Sequence, residues 1–141
     1  MNDEIEIVID DNAKEIGLAE LIGNLIKDNC IQNEKKRQIF TSLKGEVLIT
    51  AKDAEVSILL SFMKGRLLIK KGESRTGFHI KGSSDSIISL SNTRLFLGFP
   101  SLLNRNGFEL LKSLLKKDIE IEGLKGNISF GIKLLRIISI D

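Results

Sequence analysis

The spacing of apolar residues changes several times along this chain, and each change marks an element. Glu4–Ile9 alternates acid with β-branched residue, the pattern of a short strand. It reads as an extra amino-terminal strand within the first twelve residues. Asp10, Asp11 and Asn12 offer N-caps for a helix running to about Cys30. Leu18, Leu21, Ile22, Leu25 and Ile26 recur at threes and fours there, which predicts one buried face. Asn33 can cap a second helix through Leu43, with Ile39, Phe40 and Leu43 inward.

The next forty residues read as a meander. Glu46–Ala51, Glu55–Phe62, Arg66–Lys70 and Thr76–Lys81 have strand length and are punctuated by Lys52-Asp53, Lys64-Gly65 and Gly72 to Arg75. Val56, Ile58, Leu60 and Phe62 share one face of the second of these, as Phe78 and Ile80 do in the fourth. Connections this short predict antiparallel neighbours.

After Gly82 the period lengthens. Ser83-Ser84-Asp85 caps one or two helical turns through Leu90. The only proline, Pro100, sits in the irregular LFLGFPSLL, flanked by Phe96 and Phe99. Asn104 or Asn106 then starts a helix with Phe108, Leu111, Leu114 and Leu115 inward. DIEIEG reads as a last strand with Ile119 and Ile121 in and Glu120 and Glu122 out. Gly123 and Gly126 frame a turn into a closing helix, ISFGIKLLRIISI, whose only charges are Lys133 and Arg136. Three residues apart, they share one narrow polar stripe. A surface helix shows a wider one, so this helix is buried on most sides, pairs with another chain, or covers an apolar ligand.

Composition narrows the chemistry. At 141 residues the chain suits a single domain spanning its length, with ample core. One Cys and one His exclude a disulfide framework or a zinc site built from several such ligands, and leave little for a nucleophile pair. The net charge of +2 is unevenly spread. Met1–Asn29 is strongly acidic, the rest mildly basic, and most of its bases stand singly among apolar residues as solvent-facing positions do. The one cluster, Glu34–Arg37, reads as a solvated first helical turn, and a nucleic-acid partner is not expected. The amino-terminal MNDEIEIVIDD lacks the basic and long apolar regions of a secretory signal, and no stretch approaches the ~20 apolar residues of a spanning helix. A cytoplasmic protein with a reduced Cys30 is the expectation.

Individual candidates mostly have plain readings. His79, between Phe78 and Ile80, alternates to the opposite face, towards solvent. Cys30 reads as a small apolar filler. Gly72 to Gly77 has the two glycines of a phosphate loop, but Phe78 stands where Lys belongs.

In order and residue type the chain resembles the sterol carrier protein type 2 family. The likeness is carried by EVSILLSFMKGRLLIKKG, by TGFHIKGSSDSIISL and by the closing GFELLKSLLKKDIEIEGLKGNISFGIKLL, where Gly123, Gly126, Asn127, Lys133 and Leu134 match best. It covers roughly Ala13 to Ile138. Lys117-Asp118 stand where many members have a Gly, and Leu124-Lys125 look like an insertion.

The resemblance implies an α+β fold: a five-stranded, mostly antiparallel sheet with helices over one face and an apolar tunnel between the layers. It implies non-catalytic binding of a fatty acyl chain, a sterol-like or an isoprenoid lipid, with no cofactor and no metal. A transient membrane-surface contact and a homodimer are compatible with it. Leu60, Phe62, Phe99, Phe108, Leu111, Leu115, Phe130, Leu134 and Ile138 are the expected ligand contacts. The alternative is a protein–protein interaction or oligomerisation module of the same fold, with no ligand. It would use the Glu4–Ile9 edge or the last helix.

Overall fold

The computed structural model describes residues 5–72, 77–89, 119–123 and 125–138. Within them, strands β1 (Glu6–Ile9), β2 (Lys44–Ala51), β3 (Val56–Met63), β4 (Arg66–Lys71), β5 (His79–Gly82) and β6 (Glu120–Glu122) form one mixed sheet. Helices α1 (Gly17–Gln32), α2 (Glu34–Ser42), α3 (Ser84–Ser89) and α4 (Ile128–Ile138) complete the α+β architecture. The stretch carrying Phe96, Phe99, Pro100, Phe108, Leu111, Leu114 and Leu115 lies outside the described residues.

The sheet order is β1-β4-β3-β2-β5-β6, six strands where five were expected. The additional one is β1, which adds to β4 in parallel, Glu6 opposite Arg66 and Ile9 opposite Ile69. β3 pairs antiparallel with both β2 and β4. The β3–β4 reversal is the two-residue Lys64-Gly65 turn, whose φ of 48° and 99° match the twist of a tight hairpin.

The antiparallel expectation fails at β5. This strand pairs in parallel with β2, Leu48 opposite His79, and β6 pairs antiparallel with β5. The reason is that β4 and β5 are not neighbours. β4 ends with the Gly72 amide donating to the Ser57 carbonyl, and the next strand, β5, lies on the other side of β3 and beyond β2. A short connection implies antiparallel pairing only between strands that end up side by side.

Side-chain alternation places Val47, Ile49, Ala51, Ile58, Leu60, Phe62, Leu67, Ile69 and Ile80 in the core cluster on the helix side. Each buried apolar side chain of this size is worth roughly 1.5–3 kcal/mol. α1, α2 and α4 pack on this face and on one another, and α3 packs on β5.

Two helix features differ from expectation. α1 begins at Gly17, and Asp11–Ala13 forms a short 3-10 turn with no side-chain cap from Asp10. Those polar residues serve the sheet edge instead: the Asp10 amide donates to the Ile69 carbonyl and the Lys71 amide donates to Asn12 Oδ1. The buried stripe of α1 is Ala19, Ile22, Gly23, Ile26 and Cys30, rotated from the predicted one because two small residues let the helix lie close to β1 and β4.

The predicted cap of α2 forms, the Lys36 amide donating to Asn33 Oδ1 at 3.2 Å. Its basic first turn is only partly solvated: Glu34 and Lys35 are exposed, but the next two residues turn inward. Lys36 is 2% exposed, and Arg37 Nη1 donates to the Cys30 carbonyl at the end of α1. The α1–α2 corner folds this turn inward, and no periodicity announces that.

Candidate functional site

The described residues contain an apolar cleft bounded by three helices and the sheet. Leu18, Leu21, Ile22 and Leu25 of α1 form one wall, and Ile87 and Ile88 of α3 a second. Leu134, Leu135 and Ile138 of α4 form a third, over a floor of Ile49 and Ile80. Among the described residues no ionisable or hydrogen-bonding side chain lines it. Its cavity volume is about 80 Å³. A single water needs only about 10–15 Å³ but also two to four polar partners, so an apolar space of this size favours hydrocarbon over water. Leu21 and Ile88 are 42% and 43% exposed and mark the mouth.

Polar contacts behind the walls hold them in place. Asn29 Nδ2 of α1 donates to the carbonyls of both Ile137 and Ile138 at 2.9 Å, satisfying groups at the end of α4. In α3 the Ile87 amide donates to the Ser83 carbonyl and the Ser86 amide to Ser83 Oγ. From the β2–β3 turn, Asp53 Oδ1 accepts both the Ser84 amide, at 2.8 Å, and Ser84 Oγ, at 2.9 Å. These hydrogen bonds hold the Asp53 carboxyl below its ordinary value.

The expected contact residues divide into three groups. Leu134 and Ile138 line the cleft. Leu60 and Phe62 are buried in the core beneath the helices, and Phe130 is half-buried one helical turn before Leu134. Phe99, Phe108, Leu111 and Leu115 fall outside the described residues. Sequence reasoning missed the α1 and α3 walls. The signal is present in α1: Leu18, Leu21 and Leu25 belong to the predicted apolar face, and their flank of it faces the cleft. For α3, the pattern around Ile87-Ile88 predicts only a capped turn, and nothing local says which face of so short a helix meets open space.

Two potentially reactive groups lie elsewhere. Cys30 is buried, and loss of solvation pushes its thiol up to about 11 against the opposing fields of Lys36 and Arg37. It is an unreactive filler at neutral pH. His79 sits on the face opposite α1, α2 and α4 as its alternation requires, yet its side chain is only 15% exposed rather than turned to solvent. A polar ladder encloses it: Ser57 Oγ to Thr50 Oγ1 at 2.7 Å, Thr50 Oγ1 to His79 Nε2 at 2.8 Å, and Glu122 Oε2 at 3.9 Å from Nδ1. Lys81 Nζ closes it on Glu122 at 3.2 Å. The residue types are those of an acid–base relay, but the sheet itself separates them from the apolar cleft. Among the described residues no group of three or more His, Cys, Asp or Glu could hold a metal ion, and no helix is long and apolar enough to cross a membrane.

No family model matches the chain, and no curated protein matches it. Solved structures do. One, described as "UbiJ-SCP2 Ubiquinone synthesis protein", superposes with a TM-score of 0.54 at 12% identity, over 85% of this chain and 93% of the other. A second, a crystal structure of sterol carrier protein 2, gives a TM-score of 0.45 at 14% identity, over 82% and 93%. At such identity the first likeness is one of fold. With its helices on one face of a mixed sheet, the chain is an SCP2-like domain in fold.

Proposed function

We propose that residues 1–141 form one non-catalytic domain that binds a long apolar ligand, a fatty acyl, sterol-like or isoprenoid lipid, as a carrier or accessory protein. The observation that carries this reading is the cleft between α1, α3 and α4, enclosed by eleven Leu and Ile side chains and still open. The fold shared with a protein described as acting in ubiquinone synthesis supports it.

The magnitudes fit partial enclosure. A dry cavity of about 150 Å³ can take up benzene. The 80 Å³ here therefore seats only a short stretch of hydrocarbon. The rest of a long chain would run out past Leu21 and Ile88, or widen the gap between α3 and α4. At about 0.8 kcal/mol per buried methylene, ten methylenes supply roughly 8 kcal/mol, which corresponds to micromolar binding before ordering costs. Polar anchors are not required for that. The exposed apolar mouth suits brief contact with a lipid surface, and a lone free Cys30 suits a cytoplasmic setting.

The test is gentle purification, solvent extraction and mass spectrometry, followed by titration with a fluorescent fatty-acid or prenyl probe. A near-stoichiometric lipid, or saturable probe binding that Leu18→Asp abolishes, is expected. Absence of both overturns the reading.

A further inference from the structure

β1 stands at one end of the sheet order and pairs only with β4. The Glu6 amide donates to the Gly65 carbonyl at 2.9 Å, and the Asp10 amide to the Ile69 carbonyl at 2.8 Å. In a parallel ladder a residue turns both its backbone groups to one side, and its neighbours turn theirs to the other. Glu6, Val8 and Asp10 therefore face β4, while Ile5, Ile7 and Ile9 present their amides and carbonyls to the open side. None of these outward groups has a hydrogen-bond partner among the described residues. β1 is short, but it contains no Pro, Lys or bulge, which are common guards of an open edge.

Side chains along the edge divide by face. Ile5, Ile7 and Ile9 are half-buried on the helix side, where Ile7 and Ile9 lie beneath Gly23 of α1. Glu6 and Val8 point to the opposite face, with Asp10 next in line. Residues 1–13 carry five carboxylates and no Lys or Arg. Arg66 lies 3.1 Å from Glu6 and Lys14 lies 2.8 Å from Asp11, whereas Asp10 is in no ion pair among the described residues. The far strand β6 offers less: it has three residues, and Lys52, Lys81 and His79 stand beside its carboxylates.

We propose that the open edge of β1 accepts an extended basic segment of another protein as an added strand. Main-chain hydrogen bonds to Ile5, Ile7 and Ile9 attach it. Apolar side chains of that segment cover the half-buried isoleucines, and alternating Lys or Arg side chains run beside Glu6 and Asp10. A second copy of this chain fits poorly, because it sets the same run of carboxylates against itself, and like charges across a strand pair are unfavourable. β4 and β3 separate this edge from β2 and from the cleft floor at Ile49, so a partner here leaves the apolar cleft accessible.

The probe is the peptide acetyl-Lys-Val-Lys-Val-Lys-Val-Lys-amide, titrated into the full chain by calorimetry and followed by amide hydrogen exchange. Its glutamate counterpart and two N-methylated forms, one at the valines and one at the lysines, serve as controls. Saturable binding is expected, with exchange at Ile7 and Ile9 slowing more than at Glu6 and Val8. The glutamate peptide, or the lysine peptide on a Glu6→Gln/Asp10→Asn variant, should bind about tenfold more weakly, the equivalent of two surface ion pairs. N-methylation of one alternate set should abolish binding and that of the other should not, because only one set of amides faces β1. No binding, binding that ignores peptide charge, equal effects of the two N-methylations, or binding without selective protection of Ile7 and Ile9 overturns the proposal. A dimer by light scattering with Ile7 and Ile9 already protected gives the edge to a second copy and overturns it too. None of these outcomes bears on the lipid reading, which the hydrocarbon probe tests separately.

Discussion

Two ends of the same helix–sheet interface are filled in opposite ways. Near the start of α4 the gap is closed by rings. Phe62 meets Phe40 and Phe130 edge-on at centroid distances of 6.0 and 5.8 Å, and Phe130 meets Phe78 at 5.7 Å. Gly45 makes this possible, because a Cβ there would lie 3.0 Å from the Phe130 ring. Near the end of α4 the described residues that separate the same layers are Ile and Leu, and about 80 Å³ stays open. A phenyl ring reaches far enough across the gap to lock against another ring. A branched aliphatic side chain stops short, and its rotamers cannot stretch to close the space. The lesson is that open space here is made by residue size at a few positions, within one continuous core.

Turning the filled end into an open one is the most costly change. Phe62→Ala should lose about 3–5 kcal/mol in urea unfolding, the range for truncating a buried Phe. Benzene should restore part of that loss by occupying the new space. A loss below about 1 kcal/mol would mean that the rings are not packed as described.

Releasing the end of α4 comes next. Asn29→Ala removes two hydrogen bonds to the last carbonyls of the helix and should cost about 1–2 kcal/mol. Amide exchange should quicken in the last turn of α4 before it does in β3. Uniform acceleration across the protein would show that Asn29 holds no local element.

Filling the open end should cost least in stability and most in binding. Leu25→Phe adds carbon to a half-buried wall of the cleft. If the space is open, stability should change by less than about 1 kcal/mol, whereas overpacking a closed core costs about 1–3 kcal/mol. Probe affinity should fall by about tenfold, the equivalent of two lost methylene contacts. Large destabilisation with unchanged binding would reverse the assignment of the two ends.

Acid gives the smallest effect. The Asp53 carboxyl is held below its ordinary value of 3.8 by the Ser84 hydrogen bonds. Its contribution is therefore complete above 3.8 and is lost as pH falls through the lower, folded-state value. Resonances of Ile87 and Ile88 should respond in that window, and Asp53→Asn should abolish the response. Unchanged behaviour in the variant would place the acid sensitivity elsewhere.

Much of the architecture was legible in local pattern. The alternation of Val56 to Phe62, the Lys64-Gly65 reversal, the Asn33 cap and the Ile119 and Ile121 positions each reflect backbone geometry acting over a few residues. So does the narrow polar stripe of the closing helix.

What contacts distant in the chain decide was not legible. The placement of β5 beside β2 instead of β4 makes it parallel to its neighbour, the small Ala19 and Gly23 rotate α1 towards the sheet, and the α1–α2 corner buries Lys36. The same Ile and Leu pattern encodes a solid interior and a hollow one. Short-range periodicity specifies which way a side chain points. Whether anything meets it there depends on the distance between layers, which is set by the largest residues elsewhere in the interface.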